Sequence, residues 1–221
     1  MIPFWLKRCY YAAFRVPMRI NGALYRAARQ PKEPICVHLG CGQVHYIPGW
    51  VNVDANIFSA RPDVWANLMD PLPFRRNSVK MFYSHHMVEH LPDRFLASHF
   101  RDMYECLIPG GGIRVGGPDI GNACQKFVEG DLAWFSSDMP FARRSLGGKF
   151  TNFVFCGGEH LTALSESYLR ELATDAGFVD IRHCSPVRES GLVGQEVLST
   201  ESESDFDVPH TVIIEARKPL S

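Results

Sequence analysis

The stretch Val37-His38-Leu39-Gly40-Cys41-Gly42 is followed by a second short apolar run, Val51-Asn52-Val53-Asp54. The first run ends in two glycines, and the second ends in a carboxylate twelve residues after Gly42. Glycines let a ligand approach the backbone closely, and an acid at the tip of the next strand accepts hydrogen bonds from ribose hydroxyls. The pair of motifs therefore predicts an open α/β sheet that binds a nucleoside at the carboxyl ends of its strands.

The turn itself narrows the choice of nucleoside. It lacks the full dinucleotide fingerprint and the lysine of a phosphate-binding loop, both of which bind phosphate groups. A cofactor with a ribose but no phosphate fits better, and S-adenosylmethionine is the cofactor that we expect. A nicotinamide-dependent oxidoreductase is disfavoured for the same reason.

Bulk composition indicates an ordinary globular protein. The 221 residues are 46% hydrophobic and 21% charged with a net charge of −1, which suits one large domain and disfavours nucleic acid as a partner. Seven cysteines without a Cys-x-x-Cys pair indicate reduced thiols in a reducing compartment. Neither a transmembrane run nor a secretory signal is evident, so we expect a cytoplasmic protein.

The N-terminal segment, residues 1–31, differs in charge from the rest of the chain. It has six cations, no acidic residue and several aromatic residues, and we expect it to be helical with an interruption near Pro17. Such a segment could bind peripherally to the inner membrane face. Alternatively, it packs on its own domain or on a second copy of the chain as a homodimer. Two prolines at 31 and 34 mark the boundary to the main domain, residues 32–221.

Beyond that boundary, strands alternate with helices. The apolar patterns predict strands at 35–39, 51–53, 63–66, 79–83, 113–116, 178–184 and 211–216, and helices at 93–107, 119–129 and 165–176. Asp93 and Ser165 are expected as helix N-caps. The end of the chain suggests an antiparallel hairpin on a mostly parallel sheet. We expect residues 130–160 to form an irregular lid or substrate-shaping insertion, and the acidic run 201–204 to be a solvated, mobile loop.

Five motifs, which include the two quoted above, occur in a characteristic order along the chain: Leu-Gly-Cys-Gly (39–42), Asn-Val-Asp (52–54), Pro-Leu-Pro-Phe (71–74), Tyr-Ser-His-His-Met-Val-Glu-His-Leu (83–91) and Leu-Ile-Pro-Gly-Gly (107–111). This set resembles the class I S-adenosylmethionine-dependent methyltransferases. More narrowly, it is similar to small bacterial members associated with cell-surface polysaccharide synthesis, which share a Gly-Trp before the second strand, here Gly49-Trp50. The resemblance covers roughly residues 35–217.

The resemblance implies a Rossmann-like, mostly parallel seven-stranded α/β sheet whose last strand is antiparallel. It implies that the cofactor lies across the carboxyl ends of the first, second and fourth strands. The cofactor-binding residues that we expect are Gly40, Cys41, Gly42, Asp54, Asn67, Leu68 and Ser84. For Cys41, packing or backbone fit is the expected contribution.

Two departures from the family pattern bear on this expectation. Only residues 43–50 separate Gly42 from the second strand, too few for a full crossover helix, so the first helix must be shortened or lost. Asn67 stands where the family usually has an aspartate that accepts from the adenine amino group. Its side-chain carbonyl can still accept that hydrogen bond, without the charge.

Histidines are the candidate catalytic residues. His86 aligns with the family's histidine and is expected as the base or acceptor-orienting residue, with a packed, hydrogen-bonded histidine as the alternative. His85 and His160 are further candidates for contact with cofactor or acceptor. His90, with Glu89, is expected to have a structural role. No metal is expected, because His86 and His90 share a helical face that lacks a matching acid or third histidine.

Asp119 either faces the acceptor or caps the following helix, and we favour the cap.

The function that the residues and the resemblance together predict is methyl transfer from S-adenosylmethionine to a small-molecule or sugar-like acceptor, at oxygen. The alternative is a catalytically inactive methyltransferase-fold protein that serves as a binding or scaffold subunit at a membrane surface. The shortened crossover and Asn67 keep that alternative open.

Overall fold

A seven-stranded sheet forms the centre of the protein, whose computed structural model describes residues 4–42, 45–58, 60–135 and 140–221. In chain order the strands are β1 (Ile35–Leu39), β2 (Val51–Asp54), β3 (Val64–Trp65), β4 (Val79–His85), β5 (Leu107–Pro118), β6 (Val179–His183) and β7 (Thr211–Arg217). Each strand overlaps a segment in which the apolar pattern predicts one, and these predictions are confirmed.

The strands lie in the spatial order β3-β2-β1-β4-β5-β7-β6. The first five are parallel, and β7 pairs antiparallel with both β5 and β6. Leu39 at the end of β1 is in register with Val53 and Ser84 in the two neighbouring strands. The strand tips that carry the candidate residues therefore meet at one edge, and the predicted mostly parallel sheet with a terminal antiparallel hairpin is confirmed.

The connection from β1 to β2 has no helix in its described parts, residues 40–42 and 45–50. Asn52 holds this loop to the sheet, because its side chain accepts from the Ile47 amide and donates to the Ile47 carbonyl at 2.9 and 3.0 Å. Ile47 is thereby buried beside β4. The shortened first crossover is thus confirmed, and a side-chain clamp takes the place of the helix.

Six helices surround the sheet in the described residues: α1 (Phe4–Leu24), α2 (Asp93–Cys106), α3 (Ile120–Glu129), α4 (Leu146–Phe155), α5 (Glu166–Ala176) and α6 (Gln195–Leu198). Ser165 caps α5, as predicted. Asp93 does not cap α2, because it is already the first helical residue and its carboxylate accepts from the Tyr168 hydroxyl instead. The main core joins the strands to the buried faces of α2 and α5.

Helix α1 continues through Pro17, so the predicted interruption is wrong, and a π-helical turn (Tyr25–Arg29) follows it. Contacts on both sides of the proline hold the helix to its own domain. The Tyr10 hydroxyl donates to the Ala55 carbonyl at 2.6 Å, and Arg19 pairs with Asp70 at 2.9 Å. These contacts compensate for the hydrogen bond that proline removes.

Two further regions are more ordered than their composition indicates. Helix α4 lies inside the segment expected to be irregular, and Ser145 caps it by accepting from the Gly148 amide at 3.2 Å. The acidic run was expected to be solvated, but the side chains of Glu201 and Glu203 are only 0% and 1% exposed. The expected solvation of these two acids is wrong, because each carboxylate has a cationic partner: fully buried Arg114 for Glu201 and partly buried His210 for Glu203. Within the described ranges, no helix is both long and apolar enough to cross a membrane.

Candidate active site

The loop after β1 is bonded directly to the tip of β2. The amides of Gly40 and Cys41 donate to the Val53 carbonyl at 2.8 and 3.2 Å, and the Gly42 amide donates to Oδ2 of Asp54 at 2.9 Å. Oδ1 of Asp54 accepts from the Asn56 amide at 2.7 Å. The glycine motif after β1 and the acid at the end of β2 therefore meet at one place, where Asp54 contacts both loops.

The two glycines of this loop differ in their surroundings. Both have positive φ, +77° at Gly40 and +54° at Gly42, which favours glycine at each. A Cβ at Gly40 would lie 2.4 Å from Cγ of Met87, so a side chain already fills that space. A Cβ at Gly42 would meet no atom of the described residues within 4 Å. Gly40 thus serves packing, whereas Gly42 has free space on the side of the described residues.

Helix α1 contributes a side chain to this edge that the sequence did not predict. Tyr11 is partly buried, and burial together with the nearby charges of Asp54 and Glu159 raises its pKa. Tyr11 is therefore close enough to the charges of Asp54 and Glu159 for them to affect its ionisation. The aromatic character of the N-terminal segment was visible in the sequence, but nothing local indicated which of its rings would be buried.

The other expected cofactor-binding residues are buried. Asn67 and Leu68 follow β3, and Oδ1 of Asn67 accepts from the Met69 amide at 3.0 Å. Ser84 is fully buried at the tip of β4, and its hydroxyl has no hydrogen-bond partner among the described residues. Burial raises the pKa of Cys41 to about 12, which rules out a thiolate at neutral pH and agrees with a packing role.

His85 ends β4 and His86 follows it, and the environments of the two histidines differ. The ring of His85 stacks on Tyr83, has no hydrogen-bond partner among the described residues, and has a pKa far below the ordinary value because of burial. His86 is 41% exposed; its Nδ1 lies 3.3 Å from Oε1 of Glu89 and its Nε2 lies 3.2 Å from the Thr211 hydroxyl. The carboxylate favours a proton on Nδ1, which leaves a lone pair on Nε2.

Glu89 lies behind His86 and is only 1% exposed. Burial opposes its charged form, but His86 and His90 beside it lower its pKa overall. His160 comes from the end of the 130–160 segment, and its ring lies 5.1 Å from that of His90. Burial lowers the pKa of His160, so its imidazole is neutral at physiological pH.

A cavity of about 530 Å³ opens next to these histidines. Its wall includes His86 and His160, and most of the remaining side chains come from distant parts of the chain: Trp134, Phe135, Lys149, Asn152, Phe153, Cys156, Glu203, His210 and Thr211. Its size is typical of a pocket for a small molecule. The structure thus brings two of the three predicted catalytic histidines to one cavity.

Asp119 does not face this cavity through its carboxylate. Its Oδ1 accepts from the Asn122 amide at 3.1 Å and caps helix α3. The favoured structural interpretation of Asp119 is confirmed.

An ion pair in the cavity wall escaped the sequence analysis. Nδ1 of His210 lies 2.7 Å from Oε1 of Glu203, and its Nε2 lies 2.7 Å from the Trp134 carbonyl. Because both partners accept hydrogen bonds, both ring nitrogens must carry protons, and His210 is an imidazolium stacked on Trp134. Burial works against that cation, but Glu203 and the Trp134 carbonyl raise its pKa overall.

Glu203 is held in place by the segment before it. Arg114 on β5 is fully buried and donates to both oxygens of Glu201 at 2.7 and 2.9 Å, and to Glu215 on β7 at 3.0 Å. The alternation of glutamate and serine in residues 201–204 was the available signal for two inward-facing acids, but such a polar run is also typical of a solvated loop. Only their partners in the folded chain, Arg114 for Glu201 and His210 for Glu203, show that both acids point inward.

Comparison with known proteins supports the fold. No protein-family model matches the sequence, and no curated protein sequence matches it significantly. Among solved structures, a SAM-dependent methyltransferase from Archaeoglobus fulgidus aligns with a TM-score of 0.52 and 14% identity over 98% of this chain and all of that one. A possible histamine N-methyltransferase from Thermotoga maritima aligns with a TM-score of 0.53 and 15% identity over 94% of each chain.

A third similar structure contains the cofactor. It is a phosphoethanolamine N-methyltransferase 2 from Haemonchus contortus in complex with S-adenosyl-L-methionine, with a TM-score of 0.50 and 15% identity over 95% of this chain and 56% of that one. At identities this low, likeness of structure establishes a shared architecture. The chain therefore has the Rossmann-like fold of class I S-adenosylmethionine-dependent methyltransferases.

Proposed function

We propose that this protein transfers a methyl group from S-adenosylmethionine to an oxygen atom of a small-molecule or sugar-like acceptor. One observation supports the proposal most strongly. The hydrogen bond between the Gly42 amide and the Asp54 carboxylate, and the cavity lined by His86 and His160, both lie at the carboxyl ends of the parallel strands. In open α/β sheets this edge is where ligands bind. One subsite then serves the cofactor and the other serves the acceptor.

The residues at the β1 and β2 tips fit a nucleoside cofactor. Each oxygen of Asp54 accepts one backbone N–H and keeps a second lone pair, which suits two vicinal ribose hydroxyls. The open space beside Gly42 gives the cofactor room to approach the backbone. When bound, S-adenosylmethionine supplies an electrophilic methyl group. The chain's own residues then have to position the acceptor and remove its proton.

His86 is our candidate for that proton transfer. Methylation of a hydroxyl oxygen would release the hydroxyl proton, which a base has to accept, and Nε2 of His86 would accept it. Nε2 of His86 faces the cavity side at Thr211, and Glu89 behind Nδ1 stabilises the imidazolium that forms. S-Adenosylhomocysteine, the methylated acceptor and one proton are the products.

The cavity wall suits an acceptor with both apolar and polar faces. Trp134, Phe135 and Phe153 give an aromatic surface, while Lys149 and the His210–Glu203 pair supply charge. The resemblance to methyltransferases associated with cell-surface polysaccharides favours a saccharide among such acceptors. Helix α4 and the segment around it cover the acceptor side and would exclude water during transfer.

The direct test is turnover with S-adenosylmethionine carrying a labelled methyl group and a panel of free sugars and nucleotide sugars. We expect release of S-adenosylhomocysteine with at least one of them. His86→Ala should keep cofactor binding while turnover falls by about 10²–10⁴-fold. His183→Ala, which removes an exposed histidine on β6, is the matched control and should retain turnover. Equal turnover in the two variants would contradict the role of His86.

The second candidate function is a catalytically inactive scaffold at a membrane surface, and an exposed surface of α1 supports it. Val16, Ile20 and Leu24 recur every four residues and are 63%, 55% and 57% exposed, so they form one apolar stripe that faces away from the domain. We propose a cytoplasmic protein whose stripe contacts an anionic membrane. Sedimentation with phosphatidylserine vesicles tests this, and dimerisation without vesicle binding would assign the stripe to a second copy of the chain.

A further inference from the structure

Three side chains that the methyl-transfer proposal leaves unused or shares converge behind the acceptor cavity. Glu89 and His90 lie in the short 3-10 turn after β4, and His160 lies at the end of the insertion. One ligand atom from each lies within 4.8 Å of the other two. The sequence spacing around His90 offered no third ligand, which is why no metal was expected; the fold supplies that ligand from His160.

The two imidazoles are oriented as metal ligands usually are. Nδ1 of His90 lies 2.9 Å from the Glu159 carbonyl, and Nδ1 of His160 lies 3.2 Å from the Val154 carbonyl. A carbonyl only accepts, so both Nδ1 atoms carry protons and both Nε2 atoms keep a lone pair. Metal-binding histidines characteristically donate the other ring N–H in this way.

The carboxylate of Glu89 lacks the partners that its burial requires. It is 1% exposed, and neither oxygen has a hydrogen-bond donor in good geometry among the described residues. Nδ1 of His86 and Nε2 of His90 lie 3.3 and 3.9 Å from Oε1. A buried charged group without hydrogen bonds is costly, and a cation beside Oε1 would remove that cost.

The backbone holds the three ligands together. The amides of Leu161 and Thr162 both donate to the Glu89 carbonyl, at 2.7 and 3.1 Å, and the Thr162 hydroxyl donates to the Leu91 carbonyl at 2.8 Å. The loop that carries His160 is therefore fixed to the turn that carries Glu89. Three ligand atoms about 2.1 Å from one ion lie roughly 3–3.5 Å apart. Shifts of about 1 Å in the side-chain ligand atoms would therefore bring all three within bonding distance of one ion.

We propose that Glu89, His90 and His160 bind a divalent first-row transition-metal ion, with Zn²⁺ as the reference ion. Two imidazoles and one carboxylate favour such an ion over Mg²⁺ or Ca²⁺, which prefer oxygen ligands. Three protein ligands leave coordination positions open. His160 lines the acceptor cavity and Glu89 and His90 do not, so the ion would lie behind the cavity wall at His160. Metal binding itself does not depend on the proposed methyl transfer.

The test uses the full chain, freed of metal with a chelator and then dialysed against Zn²⁺, with bound zinc measured per chain. We expect one tightly bound ion, and Co²⁺ at the same site should give a visible absorption band that Zn²⁺ abolishes. Glu89→Gln and His160→Ala should each lower the affinity for Zn²⁺ by about tenfold or more. Mg²⁺ and Ca²⁺ should not displace Co²⁺.

His183→Ala is the matched control, because it removes an exposed histidine outside the cluster. Circular dichroism melting of every metal-free variant separates lost ligands from lost folding, and His160→Ala is the informative variant if Glu89→Gln unfolds. The proposal is overturned if the folded wild type binds no zinc, or if His183→Ala lowers the affinity as much as His160→Ala. S-Adenosylhomocysteine binding, measured in the same samples, reports on the cofactor site separately.

Discussion

The two sides of the candidate active site are assembled in different ways. The cofactor side joins Gly40, Gly42 and Asp54, which lie within 15 residues of one another in the sequence. The acceptor side joins His86, Trp134, His160 and Glu203, which come from four separate parts of the chain. One side is a local motif, whereas the other exists only after folding.

This difference shows in the chemistry of each side. The proposed cofactor side consists of backbone amides and one carboxylate, whose positions follow from adjacent parallel strands. On the acceptor side, charged side chains are held by partners on other elements: Arg114, which binds Glu201, lies 87 residues away on β5. Glu203 pairs with His210, which immediately precedes β7. The acceptor side should therefore depend more strongly on single buried charges.

The largest effect is expected from removing the charge of Arg114. Arg114→Met leaves Glu201 buried without its cation and leaves Glu215 with Arg182 alone. Breaking a buried pair in this way costs about 3–5 kcal/mol of unfolding free energy. Urea denaturation measures the loss. The exposed pair between Arg76 and Glu105 is the control, and Arg76→Met should cost about 0–1 kcal/mol. Similar losses in the two variants would show that the acidic segment does not depend on Arg114.

The next effect separates the two glycines of the cofactor side. Gly40→Ala forces a side chain into a positive-φ position and against Met87, and should cost about 2–4 kcal/mol of stability. Gly42→Ala meets open space and should cost about 1–2 kcal/mol, for the backbone alone. Thermal melting ranks the two. If Gly42→Ala were the less stable variant, or if it left S-adenosylhomocysteine affinity unchanged, the open space beside it would not be the ligand site.

A smaller, pH-dependent effect is expected from the pair in the cavity wall. The pKa of His210 is raised above 6.5, so its stabilising contribution is complete below that value and is lost as pH rises through the folded pKa. The pKa of Glu203 is lowered below 4.5, because burial raises it by less than the hydrogen bonds from His210 and the backbone amides lower it. The stabilising contribution of Glu203 is therefore lost as pH falls through the folded pKa.

Glu203→Gln should therefore cost most between about pH 5 and pH 6.5, where both groups are charged. The expected loss is about 1.5–3 kcal/mol, the range for a charged hydrogen bond, and it should shrink at alkaline pH. Urea denaturation at several pH values measures it, and the ring signals of His210 in NMR titration give its pKa directly. A loss that is constant across that range would mean that His210 is neutral.

The sequence was sufficient for the elements whose signals are local. The strand tips at Gly42 and Asp54 and the caps at Asp119 and Ser165 all follow from short patterns, and each is confirmed. The short connection before β2 likewise has no helix in its described residues, 40–42 and 45–50. These features depend on backbone geometry and nearest-neighbour hydrogen bonds, which adjacent residues specify.

Predictions were wrong where distant contacts override local preference. Helix α1 continues through Pro17 because contacts to Ala55 and Asp70 hold both of its halves. Helix α4 forms despite two glycines in its first turn, because Phe150 and Phe153 pack against Trp134 and Phe135. The expected roles of the histidines, Asn67, Leu68 and Ser84 stay predictions, since they concern ligands rather than packing.

Binding of S-adenosylhomocysteine to Asp54→Asn, compared with wild type by titration calorimetry, tests the central claim most directly. Asp175→Asn, an exposed acid on α5, is the control. We predict wild-type binding with a Kd of roughly micromolar order and a loss of about 10–100-fold in Asp54→Asn alone, about 1.5–3 kcal/mol. Equal affinity in Asp54→Asn and wild type, or no binding by a folded wild type, would contradict the claim that the glycine loop and Asp54 hold the cofactor.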